Sequence, residues 1–431
     1  MKKILLFVPL ILITLAFSVP NSYYPIDGYE RTGIDRLAYL QKIVRDSIKY
    51  TRIPAGAYLS IDDIKLNLTN KADSAIAYMK EDPDFQKKIG SLFYGLDQSY
   101  SISVLDMTDS TNLKYAARNE TRGYQPGSVG KLAILIAMFD QLEKLCPDDW
   151  GARINLLKYK RVKGGPFAVY DHHTIPIYDI ENDKLTKRQA QQSDVFSLFE
   201  WIDHMVAVSN NGAASVVYRE ALLLKVFGEK YFDLTDEEAM QWFKDTDRIE
   251  VTRLANEVVN EPLREMGITE DEWRLGGFFT NGGERYVGRM GGSIGSPKGL
   301  MKFLINLEQG KAVDSLSSLE MKRIMYQTER RIRYAYSHDL DSAAVYFKSG
   351  SFYKCDKSKG ACGDYAGNVF NYMNSVIIVE HPNGGPKYIV CLMTNVLRKN
   401  SATDHMYLAG RIDKAIQEEV VESKMTGTTG Q

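Results

Sequence analysis

Two groups of β-rich segments stand near opposite ends of this chain, separated by a long stretch of helical pattern. Early, Tyr100 to Asp106 alternates, Thr108 to Thr111 supplies turn residues, and Leu113 to Ala117 follows, which predicts a hairpin. Late, Val345 to Ser351, Met373 to Val379 and Tyr388 to Val396 read as three strands, with Asn383-Gly384-Gly385-Pro386 turning between the last two. The region from about 150 to 330 alternates helical patterns with polar loops and holds little that reads as strand. Ala402 to Val420 carries Leu408, Ile412, Ala415 and Ile416 at helical spacing and predicts a closing amphipathic helix. Strands from both groups have to find each other. The economical solution is an α+β fold in which both chain ends close one antiparallel sheet and an all-helical subdomain is inserted between them.

Composition narrows the function classes. Of 431 residues, 44 % are hydrophobic and 11 % aromatic, enough to bury a large core and to exclude disorder as the main state. The formal charge is −1 with no local run of Lys or Arg, which argues against a nucleic-acid partner. Lys2 and Lys3 precede an apolar run from Ile4 to Phe17 that ends at Ser18-Val19-Pro20, so residues 1–19 read as an export signal, with an uncleaved membrane anchor as the alternative. Residues 20–95 read as an extension of short helices, with patterns at Asp35–Lys49 and Ala72–Lys80, 96–420 as the main domain and 421–431 as a flexible tail. Export favours disulfides. Cys355 and Cys362 bracket a short polar loop and are expected to pair, leaving Cys146 and Cys391 as buried thiols.

Tyr124 to Lys131 is a turn that delivers Ser128 to the start of an apolar helix beginning at Leu132. Ser128-Val129-Gly130-Lys131 places an amine three residues after a hydroxyl, on the same helical face. A serine hydroxyl attacks a carbonyl only when a base takes its proton, and a buried lysine of lowered pKa can do so. A phosphate-cradling loop is excluded, because position 125 is Gln and Leu132 replaces the metal-binding Ser or Thr. Two more motifs follow. Ser209-Asn210-Asn211, between helical stretches, offers a hydroxyl for proton relay and an amide to hold a substrate amide. Lys348-Ser349-Gly350-Ser351, on a predicted strand, offers a cation, two hydroxyls and a Gly that allows close backbone approach. Asp171-His172-His173 is read as a polar loop in preference to a metal site, since adjacent histidines rarely share one ion comfortably.

In this order, Ser-x-x-Lys, Ser-x-Asn and Lys-Ser-Gly resemble the triplet of the penicillin-binding proteins and serine β-lactamases, most closely the class A β-lactamase-type domain. Leu263 to Thr269 with Arg274-Leu275, and Ser296 to Leu304, resemble that family's segments flanking its Ω loop. The resemblance implies a β-lactamase/transpeptidase-like fold with Ser128 as nucleophile and Lys131 as its base. Ser209 would pass a proton to the leaving nitrogen, Asn211 would orient the substrate amide, and Lys348, Ser349 and Ser351 would hold a carboxylate beside Gly350. The Ser128 and Ser351 N–H groups would form the oxyanion hole. It implies a small-molecule or peptidoglycan-peptide substrate, no cofactor and no metal, and membrane contact only through the N-terminal segment. A non-hydrolysing penicillin-recognising sensor or wall-binding module of the same fold is the alternative. One departure matters. Where class A enzymes carry the glutamate that positions the deacylating water, this chain reads Gly276 to Gly283 with Phe278 and Phe279, and Glu284 and Glu257 are the only local substitutes, both off the family spacing.

Overall fold

Five strands build the central sheet: β1 (Ser101–Asp106), β2 (Lys114–Arg118), β3 (Ala344–Lys354), β4 (Phe370–Glu380) and β5 (Lys387–Asn395), in the order β2-β1-β5-β4-β3 and antiparallel throughout. The two terminal groups therefore meet at the β1–β5 ladder, where Val104 faces Val390. The last turn has Asn383 and Gly384 both at positive φ, the geometry that matches a hairpin's twist. The computed structural model describes residues 28–44, 56 and 59–427, so the expectations for residues 1–19 and for the end of the tail lie outside the described residues.

Alternation along β3 sorts its side chains. Ala344 and Tyr346 join the larger apolar cluster under the helical layer, whereas Val345 and Phe347 join a second cluster on the other face. That second cluster is covered by Leu408, Ile412 and Ile416 of the closing helix (Ala402–Gly427) and by Phe85 and Ile89 of the helix Pro83–Ser91. The helical layer centres on Lys131–Leu145, Leu198–Val206, Asn211–Phe227, Arg248–Glu265, Pro297–Glu308 and Ser315–Tyr326. Lys131–Leu145 is buried from Lys131 to Leu142, which accounts for its unbroken apolar run.

Several expectations are corrected. The layer is not all-helical: three two-stranded ribbons interrupt it, pairing Arg161–Lys163 with Val195–Ser197, Thr174–Asp179 with Lys184–Gln189, and Trp273–Arg274 with Ile294–Gly295. The longest is largely exposed along its second strand and so lacks the half-buried alternation that marks a strand in sequence. Ala72–Lys80 yields only the 3₁₀ turn Ala75–Tyr78, and the first helical pattern yields Asp35–Val44, its remainder lying outside the described residues. Cys355 and Cys362 are disulfide-bonded as expected and Cys391 is buried, but Cys146 is only half-buried because it caps the end of Lys131–Leu145. Among the described residues no helix is long and apolar enough to cross a membrane.

Candidate active site

Ser128 sits on a 3₁₀ turn, Gly127–Gly130, that runs directly into the buried helix Lys131–Leu145. One turn on, Lys131 points back: its Nζ lies 3.0 Å from Ser128 Oγ. The turn is held against the sheet by Asn374 of β4, whose Nδ2 donates to the carbonyls of Gln125 and Pro126 at 3.0 and 3.1 Å. Across the ladder from Asn374 stands Gly350, and a Cβ there would lie 2.1 Å from the Pro126 oxygen and 3.0 Å from the Ser128 nitrogen. Only glycine lets β3 come this close to the nucleophile's turn.

Ser209 closes the arrangement from the helical layer, between Leu198–Val206 and Asn211–Phe227. It sits at φ 63°, a conformation non-glycine residues take only where packing imposes it. Lys131 Nζ donates to its carbonyl at 2.5 Å and reaches its hydroxyl at 3.3 Å, while Lys348 Nζ donates to the same hydroxyl at 2.9 Å. Ser128, Lys131, Ser209 and Lys348 thus form one continuous chain of polar atoms. Both lysines are almost wholly buried. Burial, reinforced by the charge of Arg330 and only partly opposed by Asp171, lowers Lys131 to about 7. Burial, Lys131, Arg330 and Arg333 push Lys348 well below the ordinary lysine value.

A cleft of about 490 Å³ opens over Ser128, and Gln125, Asn211, Phe279, Ser351 and Tyr353 are among the residues that line it. Ser349 is buried and, unlike Ser351, is not among the residues that line the cleft. The Ω-type segment forms the facing wall. Asn260 of Arg248–Glu265 pins it, accepting from Leu275 N–H at 2.9 Å and donating to Leu275 O at 3.0 Å. Phe278 stacks on Tyr218 at 4.1 Å and faces inward, whereas Phe279 lies over the amine of Lys131, 5.2 Å from ring centroid to Nζ. Neither named carboxylate reaches the cleft. Glu284 is held by Arg289 at 2.5 Å, and Glu257 is held on its helix by Arg253 and lies 3.8 Å from Lys225.

The Asp171 loop is the part that sequence reasoning undervalued. It is polar, as expected, but His172 and His173 line the cleft and Asp171 anchors the Ser-x-Asn motif, accepting from Asn211 N–H at 2.6 Å and Asn211 Nδ2 at 3.1 Å. The neighbouring Asn210 caps Asn211–Phe227 and donates to His173 O at 2.8 Å. The three loop residues offer ligand atoms within 4.8 Å of one another, yet both Asp171 oxygens and His173 Nδ1 are engaged in hydrogen bonds, so the arrangement is a bonded relay. The run Asp171-His172-His173 was the signal available, and nothing in sequence ties it to Asn211, 40 residues on. Arg330 and Arg333, which depress the lysines, carry no local pattern.

The model of the beta-lactamase enzyme family matches residues 84–419. No curated protein matches the chain. Among solved structures, the TLA-3 extended-spectrum beta-lactamase is similar with a TM-score of 0.52 at 14 % identity, over 79 % of this chain and 99 % of that one. A representative of class A beta-lactamase from Bacteroides cellulosilyticus DSM 14838 is similar with a TM-score of 0.50 at 15 % identity, over 81 % and 99 %. At such identities the likeness carries the fold.

Proposed function

The chain belongs to the beta-lactamase enzyme family, and from that premise we propose that it is an exported acyl-serine hydrolase acting on β-lactams or on amides like the D-Ala-D-Ala end of peptidoglycan peptides. The observation that carries this reading is the contact of Ser128 Oγ with a buried Lys131 amine whose pKa falls to about 7. A neutral amine at 3.0 Å can take the hydroxyl proton as Oγ attacks the carbonyl carbon. Ser209, bonded to both lysines, then supplies a proton to the departing nitrogen and is reprotonated from Lys131. The Ser128 and Ser351 N–H groups receive the oxyanion, Asn211 holds the substrate amide, and Lys348 with Ser351 favours a substrate carboxylate. The disulfide Cys355–Cys362 supports an oxidising compartment, hence export.

Among the described residues, no Asp or Glu lines the cleft. Loss of a well-placed general base typically costs about 10²–10⁴-fold in rate, so without the family's glutamate the acyl-enzyme should form faster than it decays. The same observation favours the second reading, a penicillin-recognising module that turns over nothing. Incubation with a fluorescent penicillin, followed by intact-mass and peptide analysis, tests both. The expected result is one adduct on the Ser128 peptide, lost in Ser128→Ala, that decays over many minutes. An adduct elsewhere or none overturns the nucleophile assignment, an adduct that never decays supports the sensor reading, and turnover at many per second overturns slow deacylation.

A further inference from the structure

His173 stands in the cleft wall with Asp171 bonded to it, on a loop fixed from two sides, and neither moves a proton in the acylation step. Gly212 lies so close to the Ala168 carbonyl that a Cβ would come within 2.0 Å of it, and Gly282 so close to the Pro166 carbonyl that a Cβ would come within 1.9 Å. Thr280 Oγ1 donates to Phe167 O at 3.0 Å, and Asn210 Nδ2 to His173 O at 2.8 Å. The loop is thereby wedged between the start of Asn211–Phe227 and the Ω-type segment.

His173 Nδ1 lies 2.7 Å from Asp171 Oδ1, and the Asp171 side chain is only 2 % exposed. Burial alone would raise the Asp171 carboxyl, but the His173 and Asn211 hydrogen bonds and the charge of Lys131 outweigh it and hold it at about 2. An ionised carboxylate only accepts, so Nδ1 carries the hydrogen and Nε2 keeps its lone pair. Among the described residues no protein group bonds Nε2, and His173 lines the same cleft as Ser128.

We propose that His173, oriented by Asp171, is the general base that activates water for hydrolysis of the Ser128 acyl-enzyme, from a loop packed against the segment where the family places its glutamate. The inference rests on Ser128 being acylated. Water oxygen bonds to the acyl carbon as its proton moves to His173 Nε2. The C–Oγ bond of the tetrahedral intermediate then breaks, and that proton passes to Ser128 Oγ, leaving the free acid, a neutral imidazole and the regenerated hydroxyl. Asp171 acts as a positioning residue.

The charged groups facing His173 are Asp171 on its own loop, Lys131 on the nucleophile's helix, Arg330 after Ser315–Tyr326, Arg289 on the facing wall and the stacked His172. The Asp171 hydrogen bond pulls the imidazole up, but burial and the charges of Lys131 and Arg330 outweigh it and hold His173 below its ordinary value. As the base is the neutral form, decay of the adduct should be constant at neutral pH and fall only below the ordinary histidine range. The test follows decay of a penicillin adduct by intact mass from pH 4.5 to 8.5, in the wild type and in His173→Gln, in H₂O and D₂O. Expected are an acidic inflection and a solvent isotope effect in the wild type, and in His173→Gln a decay slowed by about tenfold or more with the inflection lost. Equal decay in both proteins, or a wild-type decay without inflection or isotope effect, overturns the inference while leaving Ser128 as nucleophile. Absence of any wild-type adduct overturns both.

Discussion

A lysine serves as a base only in its neutral form, so the chemistry of Ser128 depends on what surrounds one amine. Lys131 is 0 % exposed, and burial brings it to about 7, with Arg330 adding to the shift and Asp171 opposing it. The acylation rate should therefore rise with pH through about 7 and level off above it, because lower pH protonates the base. Stopped-flow measurement of adduct formation from pH 5 to 9 checks this, and a flat profile would remove Lys131 from the role. Lys131→Arg, whose guanidinium stays charged, should lose acylation by about 10²–10⁴-fold. The residues in this step were legible because each lies in a short pattern of its own: Ser128 with Lys131, Ser209 with Asn211, Lys348 with Gly350 and Ser351. Asp171, His173 and Arg330 were not. Their influence comes from burial against the motifs and from charge acting across the fold, so even the visible run Asp171-His172-His173 did not show in sequence what it touches.

At the scale of elements, the catalytic geometry is a contact between a strand and a turn. Gly350 lets β3 lie against Pro126 and Ser128, and Asn374 of the adjacent strand holds the same turn by two hydrogen bonds. Gly350→Ala forces a methyl to 2.1 Å from the Pro126 oxygen, so β3 and the turn have to part. A displacement of about 1 Å can cost about 10²-fold in rate. The expected outcome is acylation reduced about 10²-fold with the fold retained, since β3 keeps its full ladder with β4. Stopped-flow acylation and circular dichroism read the two effects separately, and an unimpaired rate would show that the close approach does not matter. The five strands were readable because they are β-rich runs bounded by turn residues and buried over most of their length against apolar layers on both faces. The ribbon Thr174–Asp179 with Lys184–Gln189 was hidden because its second strand buries almost nothing and is held by local bonds such as Tyr178 to Asp183, 2.6 Å. That ribbon begins directly after His173, so missing it also hid where the Asp171 loop goes.

Across the whole molecule, the N-terminal helices are bolted to the helical layer. Arg36 of Asp35–Val44 donates to both Asp203 oxygens, at 2.5 and 2.6 Å, and to Gln327 O at 2.8 Å, and Arg31 pairs with Glu320. The Arg36 and Asp203 side chains are 3 % and 2 % exposed, so the pair ties three segments far apart in sequence through one desolvated contact. Sequence patterning could show amphipathic helices there but not their seat, since nothing in the residues around Asp203, in a helix buried from Leu198 to Val206, says which distant cation meets it. Removing one partner of a buried pair leaves an uncompensated charge and costs about 3–5 kcal/mol. Arg36→Met should lower the urea midpoint of unfolding accordingly. Burial already pushes the Asp203 carboxyl up and Arg36 opposes that rise. Without Arg36 the folded-state pKa rises further above its unfolded value, so the folded state holds the extra proton and its penalty shrinks as pH falls. The gap between variant and wild type should therefore be largest near neutral pH and narrower in mildly acidic urea titrations. A gap independent of pH would show that the lost stability comes from packing, and no gap at all would show that the N-terminal helices are dispensable to the fold.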